Sequence, residues 1–380
     1  MLTFVIPTNN RPKELRRCVL SIASQITDQW TEILIIDNGS TEETGFAIDR
    51  LKSEYSCVRS IRHEENIDYS VVFQRMMTAA PESTWVWTFG DDDILMKGAL
   101  KFINEQLERM STDDKPPAFI HVAEVQRASG TNGCYRGTLL DLCCQFGWLE
   151  MTGFITGNII RADRLHAAAN SPRWDFYAKS AFVHSCVLLE ELKNDEAVFL
   201  DLPLINTQTK EQTNDSLLRW LDQRIPERYL YAAQSIDRMF EDGILTHPLP
   251  PKFFRYLTYH LWDRFIVHFC GDYTNHGSMW VEDAWASVLL FAKHINDPEV
   301  AKSVHQDVEA ARGMITLHAY MQKNLDGIKQ EINDLGRRRE ALIYPYTFLE
   351  PPQPPPSERG ASSESKGVSN ENQEETHATG

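Results

Sequence analysis

The first hundred residues alternate short apolar runs with amphipathic helical patterns, and this alternation is what most constrains the fold. LTFVI at residues 2–6, EILIID at 32–37 and WVWTF at 85–89 are typical of buried strands. Apolar residues at helical spacing follow the first run, and further helices are predicted from Tyr69 and within 96–110. Because strands alternate with helices of this length, the sequence predicts an α/β fold with a mostly parallel central sheet.

Polar side chains stand at the ends of three of these predicted strands. Asn9 and Asn10 follow the first strand, and Asp37 and Asn38 end the second. Three consecutive aspartates, Asp91–Asp93, follow the strand at 85–89. Ligands of parallel sheets bind beyond the carboxyl ends of the strands, so these side chains are expected to form one binding site.

The three aspartates need a positive partner, because like charges repel and a buried carboxylate without a partner is costly. Aspartate oxygens suit Mg²⁺ or Mn²⁺, and such an ion typically completes its shell with water and substrate phosphates. The sequence therefore predicts a Mn²⁺ or Mg²⁺ cofactor that neutralises a nucleotide diphosphate. The alternative interpretation is that Asp93 caps a helix from Ile94 while its neighbours face water.

Composition and missing motifs exclude several classes of protein. No G-x-G-x-x-G or P-loop pattern follows the first strand, which has PTNNRP instead. The net charge of −16 argues against nucleic acid as a partner. Seven cysteines without a C-x-x-C pair suggest neither disulfides nor zinc and favour the cytoplasm. Neither a signal peptide nor a membrane span is predicted, so any contact with the inner face of the membrane would be peripheral, for instance through Arg337–Arg339.

The character of the chain changes after about Gln212. We predict an α/β domain over 1–210, a helical C-terminal subdomain over 211–345 and a disordered tail over 346–380, which lacks the apolar content to fold. Within 314–342 the apolar residues fall mainly at a/d spacing. That pattern suits either a helix packed on its own domain or the seam of a homodimer.

Several motifs together resemble a known family. FVIPTNNRPKELRRCVLSIASQ at 4–25 and EILIIDNGSTEET at 32–44 closely resemble the N-terminal signature of family 2 glycosyltransferases, which have the GT-A fold. WTFGDDDIL at 87–95 is similar to their DxD element. Residues 153–165 and 179–192 look most like the abequosyltransferase-like bacterial subgroup, which acts on O-antigen and related surface glycans. The resemblance covers roughly residues 1 to 200.

The resemblance implies roles for individual residues in donor binding. Pro7, Thr8 and Asn10 would line the nucleotide pocket, and Asp37 would accept a hydrogen bond from the base. That bond favours a pyrimidine, and so a UDP-, CDP- or dTDP-linked sugar. Arg62 would reach the base or the phosphates, and Asn66 stands where the family has an N-x-G turn, whose glycine is here Asp68. Asp91 would contact the ribose, the sugar or the metal. Asp93, with Asp92 beside it, would bind the metal.

The catalytic base departs from the family pattern. Family members usually carry a Glu-Asp pair some 90 residues after the DxD element. In this chain His184 stands there instead, 91 positions after Asp93 (184 − 93). A neutral imidazole can take a proton from an acceptor hydroxyl, bind a metal, or be a buried structural group. Asp175 is the competing base, with Trp174 beside it.

The function implied by the resemblance is an inverting, metal-dependent hexosyltransferase that moves a sugar from its nucleotide diphosphate to a hydroxyl of a glycan or lipid-linked saccharide. Two rivals are a nucleotidyltransferase, which would need a glycine-rich basic loop after the first strand, and an inactive glycan-binding or scaffold subunit. The missing Glu-Asp pair motivates the second rival, whereas the intact GDDD at 90–93 argues against it.

Overall fold

The computed structural model describes residues 1–80, 83–125, 128, 133–180, 182–207, 225–255, 278–320 and 330–336. Within these residues nine strands form one sheet: β1 Leu2–Thr8, β2 Thr31–Asp37, β3 Val58–Arg62, β4 Trp85–Thr88, β5 Asp93–Leu95, β6 Phe119–Glu124, β7 Cys134–Thr138, β8 Asn158–Arg161 and β9 Glu196–Thr207.

Helices cover both faces of this sheet and continue beyond it. In chain order they are α1 Pro12–Ala23, α2 Glu42–Glu54, α3 Tyr69–Thr78, α4 Ala99–Ser111, α5 Leu139–Phe146, α6 Trp148–Thr152, α7 Ala162–Ala169, α8 Trp174–Tyr177, α9 Val183–Leu192, α10 Ile225–Glu241, α11 Ser278–Lys293 and α12 Pro298–Tyr320. Short 3-10 helices lie at Ile155–Gly157 and Pro251–Phe254.

The sheet has a parallel half and a mixed half. Its strand order is β3-β2-β1-β4-β8-β6-β9-β5, with β7 also paired to β9. Pairing is parallel from β3 to β4, whereas β8 runs antiparallel to both of its neighbours. β6 and β9 are again parallel, and β5 and β7 run antiparallel to β9. The predicted α/β fold with a central sheet is confirmed, but the sheet is mixed rather than mostly parallel, with four parallel and four antiparallel pairings among the described strands. The parallel half carries the predicted strand ends.

The first strands are buried on both faces, which is why their sequences are continuous apolar runs. Phe4 and Ile6 of β1 lie in the core on the side of α1 and α4. Val5, between them, lies in the other core with α3 and α9. Because successive side chains of a strand point to opposite faces, one run of five residues supplies both cores.

The C-terminal helices share one of these cores. The 3-10 helix at Pro251–Phe254 places Phe253 against Trp148, with ring centroids 5.9 Å apart and planes at 9°. Phe254 contacts Phe291 of α11 at 5.3 Å between centroids. The compact unit runs from Met1 to Tyr344. The boundary predicted between 210 and 211 and the tail predicted over 346–380 lie outside the described residues and stay predictions.

The predicted dimer seam is described only in part. Backbone is described for 314–320, and both backbone and side chains for 330–336. Two of the seam residues, Ile332 and Leu335, are buried in the core that also contains Phe253. No helix in the described ranges has the length and apolar character needed to cross a bilayer.

We predict that Phe253→Ala lowers the free energy of unfolding by about 3–5 kcal/mol, because it removes a fully buried ring from the shared core. Far-UV circular dichroism and tryptophan fluorescence during denaturation should report one common transition. Phe46→Ala is the matched control, since Phe46 is 72% exposed and its loss should change stability little. A separate, earlier transition in Phe253→Ala would show that the helices fold independently of the sheet.

Candidate functional site

The strand ends predicted from the sequence lie side by side. In the register of β1 and β2, Thr8 is the partner of Asp37. Thr8 also donates a hydrogen bond from Oγ1 to Oδ2 of Asp91, at 2.7 Å, from the other neighbouring strand end. The carboxyl ends of β2, β1 and β4 therefore meet at one place, with Thr8 in the middle.

The turn after β1 is bonded to the turn after β2. Asn10 has a positive φ of 56° and donates its backbone N–H to Ser40 Oγ at 3.0 Å. Its side-chain Oδ1 accepts a bond of 2.8 Å from the N–H of Thr41. Asn9 donates from Nδ2 to the carbonyl of Asn38 at 2.7 Å. The two asparagines thus fix the relative position of the two turns.

Asp37 is almost fully buried, and only one of its two carboxylate oxygens accepts a hydrogen bond from a described residue. Its Oδ1 accepts a hydrogen bond of 3.0 Å from the backbone N–H of Ser40. Its Oδ2 accepts no hydrogen bond from any described residue and lies 3.5 Å from Nε of Arg62. Arg62 also donates from Nη2 to the Ser40 carbonyl at 2.7 Å. The half-exposed Arg62 side chain therefore covers a buried acceptor oxygen.

Gly39 allows the turn after β2 to approach the segment that precedes α3. Its φ is +66°, and a Cβ there would lie 2.2 Å from the backbone carbon of Glu65. Asn38 then donates from Nδ2 to Asn66 Oδ1 at 2.7 Å and to the Ile67 carbonyl at 3.0 Å. Asn66, predicted to contact the donor, is thereby held beside the strand ends.

Asp68, which stands where the family has a glycine, is the N-cap of α3. Its Oδ1 accepts bonds from the backbone N–H and the hydroxyl of Ser70, at 2.8 and 2.6 Å. Burial alone would raise the pKa of Asp68, but these bonds and the charge of Arg228 outweigh it and lower the pKa. Asp68 therefore adds a stable negative charge near the site.

The aspartate cluster is partly buried and partly paired with Arg11. Arg11 Nη1 donates to Asp91 Oδ1 at 3.1 Å and to Asp92 Oδ2 at 2.9 Å. Burial raises the pKa of Asp91 to about 6, although Arg11 and the Thr8 hydroxyl act in the opposite direction. Asp91 is 6% exposed, whereas the side chain of Asp92 is 45% exposed. The cluster thus combines a desolvated carboxylate with one that reaches solvent.

Asp93 lies at the start of β5 and is held by Thr156. The Thr156 hydroxyl donates to Asp93 Oδ2 and accepts a bond of 2.8 Å from the N–H of Gly90. Burial raises the pKa of Asp93 to about 7, and the nearby charges of Asp92, Glu124 and Asp91 act in the same direction. The alternative interpretation, in which Asp93 caps a helix from Ile94, is wrong, because Asp93–Leu95 is a strand and α4 begins at Ala99.

A cavity of about 400 Å³ opens beside these residues. Its lining residues are Pro7, Thr8, Asn9, Arg11, Asn38, Asn66, Ile67, Asp68, Tyr69, Val72, Asp91 and Arg228. Asn10, Asp37, Arg62, Asp92 and Asp93 lie outside this lining. The cavity therefore joins the ends of β1 and β2, the start of α3 and one arginine of the C-terminal helix α10.

His184 is buried among aromatic rings. Its Nε2 donates to the carbonyl of Gly153 at 3.1 Å, so Nδ1 carries the lone pair, and no described residue donates to it. The ring centroid lies 5.0 Å from that of Phe73 and 6.5 Å from that of Phe182. Burial lowers the pKa of His184 to about 4. Asp175, the competing base, is exposed on α8, and Trp174 beside it is 7% exposed and packs in the core.

The chemistry of the aspartate cluster fits a hard divalent cation. Asp91 and Asp93 are buried carboxylates whose charged forms are disfavoured, which an added cation would relieve. A Cβ at Gly90 would lie 2.9 Å from Asp93 Oδ2 and 3.3 Å from Asp92 Oδ1, so a side chain at this position would crowd these carboxylate oxygens.

A complete metal cage of protein ligands is not present in the described ranges. No three His, Cys, Asp or Glu side chains there form a group that could hold an ion. The structure thus does not bring His184 together with Asp91 and Asp93 as three ligands. One or two carboxylates with substrate phosphates and water is the arrangement that Mg²⁺ commonly adopts, and this donor set fits it.

Sequence reasoning missed several residues of the site, among them Arg11, Thr156 and Arg228. Arg11 follows Asn10 directly, so its place beside a predicted strand end was a usable signal. Thr156 and Arg228 are 63 and 135 positions after Asp93 (156 − 93 and 228 − 93), and no local pattern marks either. Only the fold brings them to the strand ends.

Comparison with known proteins finds glycosyltransferases. Residues 3–120 match Glycosyl transferase family 2. The Streptococcus pneumoniae serotype 4 protein Glycosyltransferase GlyG is 26% identical over 113 residues, which are 30% of this chain and 37% of that relative. The chain therefore spans little more than a third of the curated relative that it matches.

Two solved structures share the fold. The crystal structure of S. aureus TarS 1-349 in complex with UDP-GlcNAc is similar with a TM-score of 0.58 and 15% identity, covering 89% of this chain and 91% of that one. The crystal structure of S. aureus TarS 1-349 has a TM-score of 0.52 to this chain at 13% identity, and again covers 89% of this chain and 91% of that one. These likenesses show the GT-A fold that the family resemblance implied. The abequosyltransferase-like subgroup stays a prediction.

We predict that Thr156→Val destabilises the protein by about 1–3 kcal/mol, because the Gly90 N–H and Asp93 both lose a buried partner. The hydroxyl lowers the pKa of Asp93, so its removal should raise that pKa further. Denaturant unfolding and a carboxyl ¹³C titration measure the two effects. Thr156→Ser keeps the hydroxyl and should behave as wild type; a Thr156→Val protein equal to Thr156→Ser in both measurements would contradict the assignment.

We also predict a pH dependence from His184. Its folded pKa of about 4 lies below the ordinary value of about 6.5, so the unfolded chain binds the extra proton and stability falls as pH drops through this window. The raised pKa values of Asp91 and Asp93 act in the opposite direction, so the His184 contribution is the difference in stability between wild type and His184→Gln, which should shift by about 2 kcal/mol against wild type by pH 5. Replacing the exposed His247 with Gln is the control. Equal pH slopes for wild type and His184→Gln would refute the buried, neutral imidazole.

Proposed function

We propose that the protein is an active glycosyltransferase that moves a sugar from a nucleoside diphosphate to a hydroxyl of a saccharide. The observation that carries this proposal is the meeting of three strand ends beside one cavity, with Asp37 on one side and the Asp91–Asp93 cluster on the other. The family match over residues 3–120 supports it independently.

The nucleobase would bind near Asp37. Its Oδ2 is a buried acceptor without a hydrogen bond, and a ring N–H such as that of uracil would satisfy it. Because Arg62 covers this oxygen, its half-exposed side chain must move to admit the base. A UDP-linked donor is therefore preferred, with CDP- and dTDP-linked sugars as alternatives. That TarS was crystallised with UDP-GlcNAc is consistent with this choice.

The diphosphate would lie between the aspartate cluster and the cavity. Asp93 and Asp91, with Asp92 beside them, would hold Mn²⁺ or Mg²⁺, which when bound neutralises the diphosphate and stabilises it as it leaves. Pro7, Thr8 and Asn66 line the cavity and would contact the nucleotide. Arg228, which also lines the cavity, would add a positive charge from the C-terminal helices.

The reaction would be a direct displacement with inversion. The acceptor oxygen bonds to the anomeric carbon as the bond from that carbon to the diphosphate oxygen breaks, and the hydroxyl proton passes to a base. Exposed Asp175 reaches solvent directly, whereas His184 Nδ1 is buried and would need its aromatic surroundings to open. Asp175→Asn and His184→Gln distinguish the two candidate bases. The variant that lacks the base should have a lower kcat and nearly the same affinity for the donor.

The acceptor and the cellular location rest on the subgroup resemblance. A hexosyl transfer to a surface polysaccharide or O-antigen saccharide would place the protein in the cytoplasm, with peripheral contact to the inner membrane face. The alternative function is an inactive GT-A-like subunit that binds glycans or acts as a scaffold. Slow hydrolysis of the donor without acceptor distinguishes the two, because an inactive subunit shows none.

Thermal-shift measurements with UDP, CDP, GDP and dTDP, each with and without Mn²⁺, test the donor site. A ligand that binds only the folded state stabilises it by about 2.7 kcal/mol at a hundredfold excess over Kd. We expect a Mn²⁺-dependent shift with UDP that Asp93→Ala abolishes and Asp37→Asn weakens. Asp49→Ala, at a side chain that is 74% exposed, is the control. No shift with any nucleotide would overturn the proposed function.

A further inference from the structure

Arg11, which lines the cavity, bridges two carboxylates of the aspartate cluster. One nitrogen, Nη1, lies 3.1 Å from Asp91 Oδ1 and 2.9 Å from Asp92 Oδ2. In the part of the chain that the structure describes, no other cationic side chain pairs with Asp91, Asp92 or Asp93. Arg11 is therefore the cation that partly offsets the charge of Asp91 and Asp92 when no ligand is bound.

We propose that Arg11 is a built-in counter-cation that a divalent ion displaces, and that the released guanidinium then binds the diphosphate of the donor. This inference rests on the proposed function, since it concerns the same site. It assigns Arg11 a role in donor binding that the sequence motifs did not.

The geometry allows Arg11 to leave without disturbing the carboxylates. Asp91 keeps the hydrogen bond of 2.7 Å from the Thr8 hydroxyl, and Thr156 holds Asp93. The Arg11 side chain is 51% exposed, so its guanidinium can move from the carboxylates into solvent or the cavity without crossing the core. A divalent ion carries twice the charge of the guanidinium and interacts more strongly with the same oxygens.

The released side chain has an anion-binding position within reach. Arg11 lines the same cavity as Asn38, Asn66 and Arg228. A guanidinium matches two phosphate oxygens at once, which a carboxylate-bound Arg11 cannot do. Metal binding would thus prepare the cavity for the diphosphate, and donor binding would in turn keep Arg11 away from the metal.

Opposite effects on metal and nucleotide affinity follow from this exchange. Removing the Arg11 charge should strengthen Mn²⁺ binding in the absence of nucleotide, by about 5- to 10-fold from the lost repulsion. The same change should weaken binding of a nucleoside diphosphate in saturating Mn²⁺ by about 10-fold. A purely structural Arg11 would weaken both or neither.

The test compares Arg11→Gln with Arg16→Gln on the full chain. Arg16 lies on α1, away from the aspartate cluster, and its Nη1 is 3.9 Å from a carboxylate oxygen of Glu54. Both variants remove one positive charge, so they change the net charge equally. Mn²⁺ affinity is measured from the electron paramagnetic resonance signal of free Mn²⁺, and UDP affinity by calorimetry. Arg11→Lys keeps the positive charge but lacks the guanidinium that can bind two phosphate oxygens at once. This variant is expected to bind Mn²⁺ like wild type and UDP more weakly.

Tighter Mn²⁺ binding together with weaker UDP binding in Arg11→Gln alone supports the exchange. Mn²⁺ affinity equal to or below that of Arg16→Gln overturns it, while the proposed function stands if wild type still binds UDP with Mn²⁺. If neither wild type nor any variant binds Mn²⁺ or a nucleoside diphosphate, the proposed function fails and the exchange fails with it. If Arg11→Gln does not fold, unchanged UDP affinity in Arg11→Lys overturns the exchange.

Discussion

The burial of Asp91, in the turn after β4, and of Asp93, at the start of β5, is the constraint on which the rest of the site depends. Each carboxylate loses water and its pKa rises, to about 6 and about 7. Thr8 and Thr156 donate hydrogen bonds that oppose this cost, and Arg11 adds charge from the turn after β1. A charged group that is kept partly desolvated at such an expense is typical of a site that binds a cation or performs chemistry.

Side-chain hydrogen bonds, rather than regular secondary structure, connect the turns that surround the site. Asn9 and Asn10 join the ends of β1 and β2, and Asn38 joins the end of β2 to the approach of α3. The strands and their two apolar cores fix the strand ends, and these amides then fix the turns. Side chains on loops supported by a rigid sheet are positioned well enough to recognise a ligand.

Much of the fold could be predicted because its strands are buried on both faces and its helices are amphipathic. The strand ends at Thr8, Asp37 and Asp91 followed from that pattern, since parallel strands present their carboxyl ends at one edge. Thr156 and Arg228 could not be predicted, because only long-range packing brings them to that edge. The sequence left His184 open as a base, a metal ligand or a buried structural group, and only its packing against Phe73 and Phe182 shows that it is buried.

The central claim is that the ends of β2, β1 and β4 form a metal-assisted site for a nucleoside diphosphate. Anomalous diffraction at the manganese edge, from crystals grown with UDP and Mn²⁺, tests it most directly. The account predicts an anomalous peak within coordination distance of Asp93 or Asp91, with the diphosphate as a further ligand and the base against Asp37. Ordered UDP with the base remote from Asp37, or a manganese peak away from Asp91–Asp93, would contradict it.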